Sequence, residues 1–250
     1  MNLNGAYSSP ETRPHPFLIT FSGIDGAGKT TQIDSVFSLL QQRGLRVVKL
    51  SFWDDVAVWS KMRTGVGYLA ADSNPVRQTQ RASFSPKNNK HVRKWYLTAA
   101  RSGFYVLDVA RLHRVLSGVR GFDVVIFDRY VYDQIANIYS QSFAGRTYAK
   151  FLLQQTPQPD LAFIIDASPD AAFARKPEYP LEFMHRNRRQ FLNLRELAPH
   201  LTVIPEGGVE AVRSEINFHI ERSRLAKHDL LTEKTAVAST SSRSPVTEFL

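Results

Sequence analysis

The 250-residue sequence predicts an α/β fold, in which a five-stranded parallel sheet is flanked by helices in three α/β/α layers. Five short apolar runs are separated by segments of helical periodicity, which is the order that parallel strands with right-handed crossovers require. Three of these runs are apolar almost throughout, as expected for strands that are buried on both faces. A glycine-rich turn follows the first run directly and opens a helical segment.

The predicted strands and helices alternate along the chain. The apolar runs are residues 17–21, 46–52, 123–128, 161–166 and 201–204. The first helix follows the glycine-rich turn, with apolar residues at helical spacing from Ile33 to Leu40 and Gly44 as its stop signal. Three further helices are predicted over residues 95–119, 179–194 and 209–226, with a break near Gly103 in the longest of them.

Composition and the ends of the chain limit the class of protein. Hydrophobic residues make up 43% and charged residues 22%, which is typical of a globular domain. Cysteine is absent, so disulfides and thiol nucleophiles are excluded. Without a signal-like leader or an apolar run of about 20 residues, we expect a cytoplasmic protein with no membrane partner. We predict one domain over residues 17–222, a disordered leader over 1–16 and a disordered, Ser/Thr-rich tail over 223–250.

The positive charge is concentrated in one part of the chain. The net charge is +9, and residues 61–101, called the basic segment below, contain nine Lys or Arg residues against one acid, Asp72. A local basic field favours an anionic partner such as a phosphate ester, a nucleic acid or an acidic membrane. No nucleic-acid-binding motif accompanies this segment, so nucleic acid is not the partner that we expect.

The turn after the first strand, GIDGAGKT at residues 23–30, matches the phosphate-binding pattern G-x-x-x-x-G-K-[ST] without a gap. Glycines let the backbone turn tightly, so that its N–H groups face phosphate oxygens beside the positive end of the next helix. We expect Lys29 to reach the β- and γ-phosphates and the Thr30 hydroxyl to reach Mg²⁺. The predicted ATP-binding residues are Gly23, Ile24, Asp25, Gly26, Ala27, Gly28, Lys29, Thr30 and Thr31.

A second motif, Asp128-Arg129-Tyr130, ends the third apolar run. At the carboxyl edge of a parallel sheet, the carboxylate of Asp128 can bind Mg²⁺ directly or through water. Arg129 offers a planar pair of donors to phosphate oxygens. The residues alone leave a second interpretation open, in which Asp128 and Arg129 form a structural ion pair at the end of a strand.

The stretch FSGIDGAGKTTQ and the Asp-Arg-Tyr motif resemble the thymidylate kinase family of P-loop nucleoside monophosphate kinases. The resemblance extends from Phe17 to Glu221, with an interruption from Trp53 to about Trp95. It implies the P-loop NTPase fold and transfer of the γ-phosphoryl group of ATP to a nucleoside monophosphate, with dTMP as the leading acceptor. It also implies Mg²⁺ as the cofactor, a lid over residues 168–190, and a homodimer.

The resemblance implies catalytic roles for Lys29, Arg129, Arg175 and Asp25. Asp25 would bind the sugar hydroxyl of the acceptor, although turn chemistry explains an aspartate there equally well. Arg129 would bind the acceptor phosphate or the transferred group. Arg175 would be the leading lid arginine, with Arg186 second among the basic residues at 175, 176, 186, 188 and 189.

The acceptor side departs from the family pattern. Arg111 matches the arginine that contacts the base, but Leu107 stands where the family has a stacking phenylalanine, and the nearby Phe104 lies at another helical angle. The family's Arg-Glu-Pro after the second strand is replaced, so that residues 53–97 form a divergent acceptor-side segment whose Trp53 stacks on a base or packs in the core. The predicted acceptor-binding residues are Asp25, Phe104, Leu107, Arg111 and Arg129.

Two alternatives therefore stay open beside a thymidylate kinase. One is a kinase of the same fold that acts on a different nucleotide or another small phosphorylated acceptor. The other is a nucleotide-binding protein with weak catalysis, whose basic segment holds nucleic acid or a protein partner.

Overall fold

The computed structural model describes residues 15–57, 90–138, 143–223 and 225, with all their side chains except those of residues 90–102 and 137–138. Most of the basic segment and nearly all of the predicted leader and tail lie outside the described residues. None of the described helices is both long enough and apolar enough to cross a membrane.

Five parallel strands form one sheet in the order β2-β3-β1-β4-β5. They are β1 (Phe17–Ser22), β2 (Val47–Ser51), β3 (Val124–Asp128), β4 (Leu161–Ile165) and β5 (Leu201–Ile204). Helices flank the sheet, and the predicted fold class is confirmed. Every predicted strand is present, and the predicted ends differ from the observed ones by one residue at most.

The three central strands form the core of the domain. Every residue of β1 is buried, as are the first four residues of β3 and the last four of β4. Burial of this apolar surface stabilises the folded chain by about 25 cal/mol per Å² removed from water, and this is the main gain in free energy from the arrangement. The nearly unbroken apolar runs of these strands are thus explained by their burial on both faces.

The register of the sheet brings three strand ends together. Phe21 of β1 pairs with Asp128 of β3 on one side and with Phe163 of β4 on the other. Because the strands are parallel, the residues that follow each of them emerge at one edge of the sheet. The glycine-rich turn, Arg129 and Asp166 therefore start from neighbouring positions.

Seven α-helices connect or follow the strands within the described residues. They are α1 (Lys29–Gln42), α2 (Lys90–Gly118), α3 (Val131–Ile138), α4 (Phe143–Gln155), α5 (Pro169–Arg175), α6 (Leu181–Asn193) and α7 (Val209–Arg222). Helices α1, α2, α6 and α7 were predicted from their apolar periodicity. Helices α3, α4 and α5 were not, because they are short or because their buried positions are too few to give a clear period.

The break predicted near Gly103 is wrong, since α2 continues through this glycine. Glycine costs about 1 kcal/mol relative to alanine in a helix interior. Downstream of it, Tyr105, Val109 and Leu112 are buried at helical spacing against the core, and this packing holds the helix in one piece.

The segment after β2 differs from a simple continuation of the strand. The predicted strand over residues 46–52 ends at Ser51, and Phe52–Val56 form a five-residue π-helix. Phe52 and Val56 are buried, and the Asp55 carboxylate accepts a hydrogen bond from the Ser51 N–H at 2.7 Å. The chain is thus turned away from the sheet just where the divergent segment begins.

Candidate active site

The glycine-rich turn, called the P-loop below, fits closely between β4 and α5. A Cβ atom on Gly23 would lie 2.5 Å from the carbonyl oxygen of Ile165, and one on Gly26 would lie 2.5 Å from that of Ala172. Both residues also have positive φ angles, 136° and 81°, which side chains disfavour. Only glycine fits these two positions, so the loop is held against the backbone of two neighbouring elements.

Lys29 is the first residue of α1 and is bound into the P-loop. Its Nζ donates hydrogen bonds to the carbonyl oxygens of Gly23 at 2.9 Å and Ile24 at 2.8 Å. Burial, and next the charge of Arg129, lower the pKa of Lys29 to about 8. Within the described part of the chain, these two carbonyl groups are the only hydrogen-bond partners of the ammonium, and an anion in the loop would stabilise its charge.

Arg129 connects the end of β3 with the P-loop. Its backbone adopts a left-handed conformation with φ of 67°, and its N–H donates to the carbonyl oxygen of Phe21 at 2.8 Å. The guanidinium donates to the carboxylates of Asp25 and Asp133, the latter at 2.9 Å. Burial opposes its charge, but Asp133 and Asp25 raise the pKa of Arg129 above its ordinary value. Asp25 and Arg129, both predicted site residues, are thus in direct contact.

Asp133 was missed by the sequence reasoning, although it is the most buried acid around Arg129. It lies in the first turn of α3, is 2% exposed, and accepts a hydrogen bond from the Ser22 hydroxyl at 2.6 Å. The only sequence signal is its spacing of four residues from Arg129, a separation that is common for paired charges in helices.

Asp128 and Thr30 offer oxygen ligands of the kind that a hard divalent cation prefers. Asp128 ends β3 and is partly exposed, and among the described residues no hydrogen bond reaches its carboxylate. Burial raises the pKa of Asp128, against the opposing charges of Lys29 and Arg129. Thr30 is exposed in the first turn of α1. The described residues hold no group of three or more His, Cys, Asp or Glu side chains able to bind a metal by themselves.

The predicted acceptor residues of α2 differ in their exposure to solvent. Leu107 is 53% exposed, and Arg111, one turn later, is exposed as well. Phe104 is partly buried, while Tyr105 points into the core. Trp53 is partly buried and packs edge-on against Phe52, which agrees with the core interpretation more than with an open stacking surface.

A second buried polar pair, also missed by the sequence reasoning, ties α2 to α3. The Gln134 amide donates to the Asp108 carboxylate at 2.6 Å, and both side chains are almost fully buried. Because Gln134 follows Asp133, this contact fixes α2 beside the residues that hold Arg129.

The basic residues of the predicted lid have different surroundings. Arg175 ends α5, is exposed, and its Nε donates to the carbonyl oxygen of its own helix at Ala171. Arg186 is exposed over the ring of Phe183. Arg188 forms a two-pronged ion pair with Asp166 at 2.6 and 2.7 Å, which anchors α6 to the end of β4. Arg188 thus has an acidic partner, whereas no ion pair joins Arg175 or Arg186 to any residue that the structure describes.

Comparisons with curated proteins and with solved structures find thymidylate kinases among the matches. No family model matches the chain. The chain is 25% identical over 213 residues to a probable thymidylate kinase of Archaeoglobus fulgidus, covering 82% of this chain and 94% of the relative. It is 26% identical over 238 residues to a thymidylate kinase of Pelobacter propionicus, covering 86% and 99%. A crystal structure of thymidylate kinase from Ehrlichia chaffeensis is 21% identical, with a TM-score of 0.49 and coverage of 83% and 99%. The relatives that match this chain over nearly their full length are thus thymidylate kinases, which confirms the predicted resemblance to that family.

Proposed function

We propose that this protein transfers the γ-phosphoryl group of Mg·ATP to a nucleoside monophosphate, with dTMP as the acceptor and dTDP as the product. The observation that carries this proposal is the direct contact between Asp25 of the P-loop and Arg129 at the end of β3. It joins a phosphate-binding loop to the arginine that the family relationship assigns to the acceptor. Similarity to thymidylate kinases over most of the chain supports the same reaction.

ATP would bind along the P-loop. The backbone from Gly23 to Thr31 would surround its phosphates, and Lys29 would exchange its two carbonyl partners for phosphate oxygens. The Thr30 hydroxyl and the Asp128 carboxylate would hold Mg²⁺. When bound, the ion would neutralise charge on the phosphates of ATP.

The acceptor would bind between α2 and Arg129. The Arg129 guanidinium would bind its phosphate in two-pronged fashion, and Asp25 would accept a hydrogen bond from its sugar hydroxyl. Arg111, Leu107 and Phe104 would lie beside the base. Phosphoryl transfer of this kind needs positioning and charge stabilisation but no covalent intermediate, and Arg175 would add positive charge when the lid closes.

Affinity for ATP is expected to fall as the pH rises above about 8. Phosphate oxygens favour charged Lys29, whose pKa in the free protein is about 8. Binding therefore takes up a proton wherever free Lys29 is neutral, and each further pH unit weakens binding by up to about tenfold. Below about pH 8, Lys29 is charged in both the free and the ATP-bound protein, so it contributes no pH dependence to the affinity for ATP.

Calorimetric titration of ATP between about pH 7 and about pH 10 tests this expectation. The Lys29→Met variant is the control, because it has no ammonium to titrate and should lose the dependence. A wild-type affinity that stays constant across the range would contradict the assignment.

The acceptor is tested by coupled ADP release with Mg·ATP against dTMP, dUMP, the other nucleoside monophosphates, nucleosides and sugar phosphates. We expect dTMP to react fastest and Lys29→Ala to abolish the signal. No ADP above background with dTMP would refute the dTMP assignment.

A second candidate is a kinase of this fold with another acceptor. It is favoured by Leu107, an exposed aliphatic side chain where the family has a stacking ring, and by the π-helix that replaces the family's Arg-Glu-Pro. Turnover of a non-thymidine acceptor alone in the same panel would select it.

Two expectations stay predictions. A nucleic-acid partner for the basic segment would require steeply salt-dependent binding to DNA or RNA. A homodimer would be seen as twice the monomer mass in solution.

A further inference from the structure

Asp133 is a buried carboxylate whose two oxygens both accept hydrogen bonds. Its side chain is 3% exposed, and its two carboxylate oxygens have different partners. Oδ2 accepts hydrogen bonds from the Ser22 hydroxyl at 2.6 Å and from the Tyr130 N–H at 3.2 Å. Oδ1 accepts from the Arg129 guanidinium at 2.9 Å. Burying a carboxylate costs free energy unless hydrogen bonds of this kind replace those to water. The Asp133 carboxylate is therefore held in one position by its partners.

The partners of Oδ2 explain what holds Asp133 still. Ser22 is the last residue of β1 and directly precedes the P-loop, while Tyr130 belongs to the turn between β3 and α3. Oδ2 is thus hydrogen-bonded to the segments that precede the P-loop and α3. Oδ1 accepts the hydrogen bond that orients Arg129.

The second carboxylate on Arg129 is held differently. Asp25 belongs to the P-loop and its side chain is 21% exposed, close to the 23% of Arg129 itself. Of the two carboxylates on the guanidinium, Asp25 is therefore the accessible one, and Asp133, at 3% exposure, is the buried one. An anion that arrives from solvent would therefore reach Asp25 before Asp133.

We propose that Asp133 is a positioning residue that holds the Arg129 guanidinium in place, while Asp25 is a temporary partner that the acceptor phosphate displaces. This inference rests on the proposed function. In the free protein, Asp25 neutralises Arg129; when the acceptor phosphate takes over that side, the Asp25 carboxylate is released toward the sugar hydroxyl. Phosphate recognition and sugar recognition are thereby coupled through one arginine.

The test is Asp133→Asn, which keeps the size and one acceptor oxygen but removes the charge and one acceptor position. Calorimetry would measure the affinities of the wild type and the variant for dTMP, for thymidine, which lacks the phosphate, and for ATP. We expect the dTMP affinity to fall about tenfold or more, as for other residues that orient a binding group, with thymidine and ATP unchanged. In an Arg129→Lys background, Asp133→Asn should lower the affinity for dTMP by less than about twofold further.

Asp160→Asn is the matched control. The Asp160 carboxylate accepts a hydrogen bond from the Leu18 N–H at 2.9 Å, at the opposite end of β1, and no described contact links it to Arg129. This variant should alter stability without altering the ratio of dTMP to thymidine affinity.

Two results would overturn the inference. A purely repulsive role for Asp133 would make dTMP bind more tightly to Asp133→Asn, and a general structural role would weaken dTMP, thymidine and ATP together. Failure of the proposed function looks different, because the wild type itself would then neither bind nor phosphorylate dTMP.

Discussion

Lys29→Met is expected to lower kcat by about 10³-fold while leaving the fold intact, since loss of one preorganised donor to developing charge typically costs this much. Methionine keeps the aliphatic length of lysine and removes the ammonium that the P-loop carbonyl groups now hold. Initial rates with saturating Mg·ATP and acceptor would measure the loss.

The same variant is expected to be at least as stable as the wild type. Burial lowers the pKa of folded Lys29 from 10.5 to about 8, so charged Lys29 opposes folding below that range, and stability rises as the pH passes from 8 to 10.5. Lys49→Met is the matched control, because Lys49 pairs with Asp34 on the exposed surface and should affect neither rate nor stability. Unimpaired turnover by Lys29→Met would refute the role of Lys29 in transfer.

Arg129→Lys is expected to lower kcat/KM for the acceptor by about 10³-fold, in line with the effect of losing a transition-state arginine. Lysine keeps one positive charge, but it cannot bind Asp133 and a phosphate at once through a planar fork. The KM for ATP should change little, because the P-loop and Lys29 remain intact.

Comparison with Arg129→Ala separates chemistry from stability. Alanine would leave the buried Asp133 carboxylate without its cation, and removing one partner of a buried pair typically costs about 3 kcal/mol of unfolding free energy. Urea unfolding would detect this loss in the alanine variant and a smaller one in the lysine variant. Arg46→Lys is the control, since the Arg46 guanidinium also donates two hydrogen bonds to carboxylate oxygens, here both of Asp123, at the exposed opposite edge of the sheet. Equal kinetics in Arg129→Lys and wild type would refute the assignment.

The strands and the tight, glycine-dependent turn after β1 could be predicted because each leaves a local pattern. A strand buried on both faces needs an unbroken apolar run, and a loop that contacts both β4 and α5 needs glycine at Gly23 and Gly26. The Asp-Arg-Tyr motif was placed correctly because it directly follows such a run.

The supporting contacts could not be predicted, because they depend on which distant segments meet. Asp133 and Gln134 look like surface residues of a short helix. Their burial is compensated by hydrogen-bond partners that include Ser22 and Asp108, which the sheet and α2 bring to them. Likewise, the continuity of α2 past Gly103 is decided by packing downstream, which outweighs the local preference of glycine.

The sheet order has a consequence for how the protein is made. Neither strand that pairs with β1 is close to it in sequence: Phe17 pairs with Val124, and Phe21 pairs with Phe163. About half of the chain must therefore be synthesised before either edge of this uncharged strand can pair with another strand. Parallel pairing between segments that are distant in sequence is also slow to form. Until then the nascent chain exposes an aggregation-prone segment, and it should depend on chaperones or low temperature for good yield. The order of synthesis thus determines when a nucleotide can first bind and stabilise the fold.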